Sequence, residues 1–151
     1  MKKYLVIGNP IEHSLSPKLH NYWIKENNID AVYDKKKLNE TDIEGIISEV
    51  KDGKIDGINV TVPFKKSVIP FLDKLTPLAN ETQSVNTIYK KKENGADVVG
   101  DNTDVGGFKQ SLEYMNYNVL KYSFICLTGK PIIVSSSPSI FENKDLPPAS
   151  I

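Results

Sequence analysis

The sequence predicts an α/β domain organised on a mixed, mostly parallel β-sheet. Short strand-like runs alternate with helix-like segments through the first half of the chain, the order that builds parallel sheets. Gly57 to Val62 alternates strictly between apolar and polar residues, as a strand with two unlike faces does. Two further strand-like runs, Val85 to Tyr89 and Ala96 to Val99, flank Asn94-Gly95, a pair favoured in tight hairpins. That hairpin adds the antiparallel element.

Tyr4 to Ile7 is a short apolar run closed by Gly8 and Pro10, which suits a buried strand. Ser16-Pro17 reads as a helix start, with Ser16 as N-cap and Pro17 in the first helical position. Leu19, Tyr22 and Trp23 then share one helical face. Ala31-Val32-Tyr33 reads as a second strand. Thr41 to Glu44 fits a capping box, and behind it Ile43, Ile46, Ile47 and Val50 fall on one side of a helix. In Gly57 to Val62 the residues Ile58, Val60 and Val62 point one way and Asn59 and Thr61 the other, with Pro63 ending the strand. Phe64-Lys65-Lys66 begins a turn or short helix, and Thr76-Pro77 opens another helical piece. From Asp104 a helix sets Phe108, Leu112 and Met115 on one side. After about residue 119 the periodicity fades, with only Ser123 to Leu127 strand-like before a Pro- and Ser-rich tail.

The chain has 151 residues, with 19 basic and 19 acidic side chains that cancel. That balance argues against a dedicated nucleic-acid binder, which carries a basic surplus to neutralise phosphates. The runs Lys35-Lys36-Lys37 and Lys90-Lys91-Lys92 are short and read as solvated edges or turn flanks. A single cysteine, Cys126, excludes an internal disulfide and fits a reducing compartment. The apolar start ends at Ile7, short of the roughly 7–15 residues of a signal-peptide core. No stretch approaches the roughly 18 apolar residues of a membrane span. A cytoplasmic protein without nucleic-acid or membrane partners is expected.

Four local features bear on chemistry. Ser14-Leu15-Ser16-Pro17 puts two hydroxyls at a helix start, where they serve either as caps or as ligands for an anion or polyol. Asn59 and Thr61 share the polar side of a strand, and Lys65 lies just beyond its end, where α/β sheets gather ligands. Such a lysine is either a surface charge or a general acid/base. Asn86, within Ser84 to Ile88, hydrogen-bonds in both directions and suits a hydroxyl ligand, or marks a turn. In Gly100 to Gly107, Thr103 or Asp104 either caps a helix or brings a carboxylate to a lysine from another strand end. His13 and His20 lack metal-ligand spacing, no Ser-His-Asp arrangement is suggested, and Thr128-Gly129-Lys130-Pro131 is no phosphate-binding loop.

In this order the motifs resemble the N-terminal, substrate-binding domain of shikimate dehydrogenases. The resemblance runs from Gly8-Asn9-Pro10-Ile11 with His13-Ser14-Leu15-Ser16-Pro17, through Asn59 to Lys65 and Ser84 to Thr87, to Gly100 to Gly106. It implies a three-layer sandwich over residues 1–118, followed by a divergent or vestigial tail over 119–151. It also implies that Ser14 and Ser16 hold the shikimate carboxylate and that Asn59, Thr61 and Asn86 bind ring hydroxyls. Lys65 and Asp104 would be the catalytic pair and would contact the substrate too. The family's reaction is the reversible, NADPH-dependent reduction of 3-dehydroshikimate to shikimate in aromatic amino-acid biosynthesis. The paired serines favour shikimate over quinate.

The resemblance departs where the NADP(H)-binding domain would begin. The strand at Ser123 to Leu127 is followed by Thr128-Gly129-Lys130-Pro131 instead of a glycine-rich turn, and Pro131 opposes a helix start there. The glutamine-bearing helix with which the family returns to its first domain has no counterpart. The expectation is therefore a truncated chain or a foreign tail, inactive by itself. A cofactor-less shikimate-binding module and a non-functional fragment remain alternatives.

Overall fold

The computed structural model describes residues 1–91, 97–115, 123–125 and 132–134. They fall into two compact units, Met1–Gly106 and Gly107–Ile151. The first unit carries strands β1 (Lys2–Gly8), β2 (Ala31–Lys37), β3 (Gly57–Val60), β4 (Lys74–Leu75), β5 (Thr87–Lys90) and β6 (Val98–Asp101). They form one sheet in the order β2-β1-β3-β5-β6-β4. β1 pairs in parallel with β2 and β3, β4 pairs in parallel with β6, and β5 runs antiparallel to both β3 and β6. Five strands thus point one way and β5 the other, the mixed, mostly parallel sheet the sequence predicts.

Helices cover both faces. Helix α2 (Ile43–Lys51) buries Ile43, Ile46, Ile47 and Val50, the side the spacing selects. They pack with Ile7, Ile58, Val60, Phe64 and Ile88, and with Ala79 of helix α3 (Pro77–Thr82). Full burial of each such aliphatic side chain stabilises the fold by about 1.5–3 kcal/mol. Helix α1 (Ser16–Glu26) lies on the opposite face, where Val6, Ile11, Tyr33 and Tyr4 pack with Ile24. Adjacent residues Val6 and Ile7 enter different cores, as strand alternation requires.

Several local expectations are corrected. Leu15, not Ser16, stands at the N-cap of α1, because Leu15 is already helical and its carbonyl accepts from Leu19 N–H. Leu19, Tyr22 and Trp23 are exposed, and the inner side of α1 carries His20, Asn21 and Ile24. Asn21 explains this inversion. Its amide donates to Tyr33 O (2.7 Å) and accepts from Tyr33 N–H (2.9 Å), satisfying backbone groups on the outer edge of β2. The capping box sits at Asn39 and Asp42, ahead of a 3-10 turn over Glu40–Asp42, so Thr41 lies inside that turn.

β3 ends at Val60, earlier than Pro63, and Val62 is 67% exposed. Phe64 fills the core position instead, at 1% exposure. β5 begins at Thr87, two residues after Val85. A helix opens at Thr76-Pro77 as expected, and Thr76 caps it by accepting from Ala79 N–H at 3.3 Å. Asn94, Gly95 and Ala96 lie outside the described residues, although β5 and β6 pair as the hairpin reading requires. Helix α4 (Asp104–Tyr114) forms as expected, with Phe108 and Met115 at least half exposed.

In the second unit, β7 (Ser123–Ile125) pairs antiparallel with β8 (Ile132–Val134), a strand the sequence did not announce. Cys126, Leu127 and Thr128-Gly129-Lys130-Pro131 lie outside the described residues. No helix among the described residues is long and apolar enough to cross a membrane.

Candidate active site

The candidate residues converge because the strands deliver them to one sheet edge. β1, β3 and β6 end there, and the reversed strand β5 begins there. The loop before α1 leaves β1 at this edge, the turn carrying Lys65 leaves β3, Asn86 immediately precedes β5, and Asp104 follows β6. Ligands of α/β sheets gather at such carboxyl ends.

Phe64 anchors the turn after β3 by its burial, and Lys65 O accepts from Val85 N–H at 2.8 Å, tying the turn to the entry of β5. The Lys65 ammonium reaches Asp104, with Nζ 2.5 Å from Oδ2. The other oxygen, Asp104 Oδ1, accepts from Asn86 Nδ2 at 2.6 Å. The side chains of Lys65 and Asp104 are 31% and 41% exposed, so the pair is open to a ligand from one side. Asn86 is buried; its Oδ1 accepts from Thr103 N–H (3.0 Å) and Thr87 Oγ1 (3.0 Å).

Helix capping falls to Asn102, which sequence reading passed over in favour of Thr103 or Asp104. Asn102 is 2% exposed; its Oδ1 accepts from Asp104 N–H (3.1 Å) and Val105 N–H (3.3 Å), and its amide donates to Ser84 O (2.9 Å). The start of α4 is therefore satisfied without the Asp104 side chain, which is left to Lys65. Asp101 is occupied differently, accepting from Thr76 Oγ1 at 2.6 Å.

Asn59 projects on the α1 side of the sheet. Its Oδ1 accepts from the Tyr33 hydroxyl at 2.7 Å, and its Nδ2 donates over 3.4 Å to Asn86 O and to Thr87 Oγ1. Burial of Tyr33 pushes its phenol up to about 12. Thr61 follows β3 and donates its N–H to Ile7 O at 3.0 Å. It lies so close to β1 that a Cβ on Gly8 would stand 2.6 Å from Thr61 Cγ2, so a glycine is required for this approach.

Ser14 and Ser16 stand apart from this network, on the loop and the first turn of α1. Ser16 N–H donates to Ser14 Oγ at 3.4 Å. Lysines of the edge strand β2 hold that loop. Lys37 Nζ pairs with Glu12 Oε1 at 2.9 Å, and Lys35 Nζ donates to the Glu12 carbonyl. The Lys37 hydrogen bond leads the effects that lower the Glu12 carboxyl to about 2.

Of the seven candidates, four (Asn59, Lys65, Asn86 and Asp104) belong to one hydrogen-bonded group, and Ser14, Ser16 and Thr61 occupy the same edge beside it. Tyr33, Thr87 and Asn102 are participants that sequence reading missed. Thr87 was detectable as the residue adjoining Asn86 across from Asn59. Tyr33 carried no local signal, because its role depends on reaching across β1. No cluster of three or more His, Cys, Asp or Glu arranged for a metal occurs among the described residues. An ammonium held by a carboxylate, bordered by amides and hydroxyls, suits polyol binding and proton transfer at a hydroxyl or carbonyl oxygen.

The architecture is that of an α/β domain that carries a Lys–Asp pair at the carboxyl ends of its strands. A sequence model described as the shikimate dehydrogenase substrate binding domain matches residues 6–88, and the chain belongs to that family. It is 53% identical over 135 residues to the shikimate dehydrogenase (NADP(+)) of Pelagibacter ubique, covering 89% of this chain and 49% of that protein. It is 39% identical over 129 residues to the enzyme of the same name from Bacillus subtilis, covering 84% and 45%. Among solved structures, shikimate 5-dehydrogenase from Listeria monocytogenes in complex with shikimate and NAD superposes with a TM-score of 0.74 at 26% identity, covering 81% and 41%. The Thermus thermophilus enzyme in complex with NADP(H) and shikimate gives 0.72 at 29%, covering 81% and 45%. The chain spans about half the length of the curated relatives it matches.

Proposed function

We propose that this chain forms the substrate-binding and acid/base half of a shikimate dehydrogenase, acting on 3-dehydroshikimate and shikimate. The carrying observation is the Lys65–Asp104 pair, joined to Asn86 at the open sheet edge. In this reading Ser14 and Ser16 receive the substrate carboxylate, and Asn59, Thr61 and Asn86 address the ring hydroxyls. Lys65 Nζ stabilises the negative charge that grows on the carbonyl oxygen during reduction, and donates the proton that completes the hydroxyl. Asp104 orients the ammonium. In the reverse direction Lys65 takes up the hydroxyl proton. Amides and hydroxyls that pair with substrate hydroxyls reject analogues lacking them, since the unmatched groups would stay buried and unpaired.

NADP(H) is the cofactor named with the curated relatives. It would supply the hydride. Among the described residues that follow α4, β7 pairs with an antiparallel β8, which does not fit the parallel strands of a dinucleotide-binding unit. No residue of this chain is assigned to it. That pairing favours a second reading, in which this chain binds shikimate without itself holding the cofactor.

Calorimetric titration of the folded chain with shikimate tests the proposal. Saturable binding that weakens about 10-fold or more in Lys65→Met supports it, and a folded chain that ignores millimolar shikimate sinks it. Reduction of added NADP+ by the same sample assigns catalysis to this chain, whereas binding without turnover supports the second reading.

A further inference from the structure

Tyr33 lies on β2, two strands from β3, yet its hydroxyl meets Asn59 on β3. Three contacts fix its position. The ring is 5% exposed within the Val6–Ile11 cluster, it stacks on His20 with centroids 4.1 Å apart at 10°, and Asn21 clamps its backbone on both sides. At 2.7 Å from Asn59 Oδ1 the phenol forms an ordinary O–H···O bond. The phenol donates this bond and the Asn59 carbonyl oxygen accepts it.

An amide has one accepting and one donating end, and exchanging them reverses what it offers its neighbours. With Oδ1 committed to Tyr33, Asn59 Nδ2 faces Asn86 O and Thr87 Oγ1. Thr87 Oγ1 then donates to Asn86 Oδ1. The direction of Asn86 is set separately, by Thr103 N–H on its Oδ1, so that its Nδ2 donates to Asp104 Oδ1 and Thr103 Oγ1 while Asp104 Oδ2 receives Lys65. The Tyr33 hydroxyl, at 2.7 Å, is the shortest of the contacts that orient Asn59, whose Nδ2 contacts span 3.4 Å.

We propose that Tyr33 is a positioning residue of the site beside the Lys65–Asp104 pair, holding the Asn59 amide in the orientation it presents next to Asn86 and Thr87. The proposal deepens the shikimate reading and rests on it only for the identity of the ligand. Without the hydroxyl, Asn59 can present either end of its amide to the site, and part of the population faces the substrate with the wrong group.

Tyr33→Phe keeps the ring and its stack and removes only the donor. Two measurements on the full chain decide the matter. The first is the NMR position of the Asn59 side-chain NH2 group without ligand. It should move in Tyr33→Phe while the buried methyl resonances stay in place. The second is shikimate affinity in a double-mutant cycle with Asn59→Ala. Tyr33→Phe should weaken binding about 3- to 10-fold, the worth of one hydrogen bond. In the Asn59→Ala background the same substitution should change it less than about 2-fold, because its route is gone. An unmoved Asn59 resonance, or an equal loss in both backgrounds, would overturn the proposal. Should the unsubstituted chain not bind shikimate, the functional reading fails, and the NMR measurement alone still decides the role of Tyr33.

Discussion

Lys65 Nζ and Asp104 Oδ2 meet at 2.5 Å across 39 residues of sequence, and neither side chain is needed to hold its own segment in place. Phe64 anchors the turn that carries the lysine, and Asn102 caps the helix that carries the aspartate. The pair is therefore separable from the fold. Lys65→Met and Asp104→Asn should each change stability by less than about 1 kcal/mol, as partly exposed ion pairs do. Lys65→Met should weaken shikimate binding about 10-fold or more, because a charge-assisted hydrogen bond is lost. Urea denaturation and calorimetric titration of the same samples check both halves.

Asn102 should behave in the opposite way. Asn102→Ala removes two acceptor contacts at the start of α4 and leaves Ser84 O without its buried donor. A loss of about 1–3 kcal/mol is expected from a cap and a buried hydrogen bond together. The shift in urea midpoint, at unchanged slope, measures it.

Val62 and Phe64 separate the sequence expectation from the structure. Strict alternation directs Val62 into the core, yet it is 67% exposed, and Phe64 is buried at 1%. Phe64→Ala should cost about 3–5 kcal/mol and disturb the turn that presents Lys65. Val62→Ala should lie within about 0.5 kcal/mol of the parent. Thermal and urea unfolding of the two variants give the comparison.

His20 introduces a pH dependence. Desolvation lowers its pKa below the ordinary 6.5. The unfolded chain therefore takes up the proton first on acidification, and its contribution to stability is complete above about pH 6.5 and declines as the pH falls through the folded value. Glu12 and Asp73 also have lowered pKa values, but they act only as the pH falls below their ordinary 4.5 and 3.8. Between about pH 6.5 and 5 the decline in melting temperature should come chiefly from His20. His20→Phe, which retains a ring against Tyr33, should flatten that interval.

What the sequence disclosed follows from which forces act locally. The buried side of α2 was legible because Ile43, Ile46, Ile47 and Val50 repeat at helical spacing, and burial rewards that period directly. Asn59 and Thr61 were legible as polar residues on an otherwise apolar segment. The inner side of α1 was not, because Asn21 faces inward to serve the backbone of Tyr33, while Leu19, Tyr22 and Trp23 remain exposed. Capping was misplaced at both α1 and α2 for a related reason. Each helix is preceded by residues already in helical or 3-10 geometry, and local propensity does not count such extra turns. The link between Tyr33 and Asn59 depends on strand order, which no local pattern encodes.

The two borders of the sheet have a consequence for how this protein behaves in concentrated solution. β2 ends in Lys35-Lys36-Lys37, and the opposite border, β4, is only two residues long. On one margin Asn21 already occupies the outward backbone groups of Tyr33 and the lysines are tied to Glu12 and Glu49, and the other margin is too short to template a strand. Both margins of the described sheet thus disfavour strand addition by another copy.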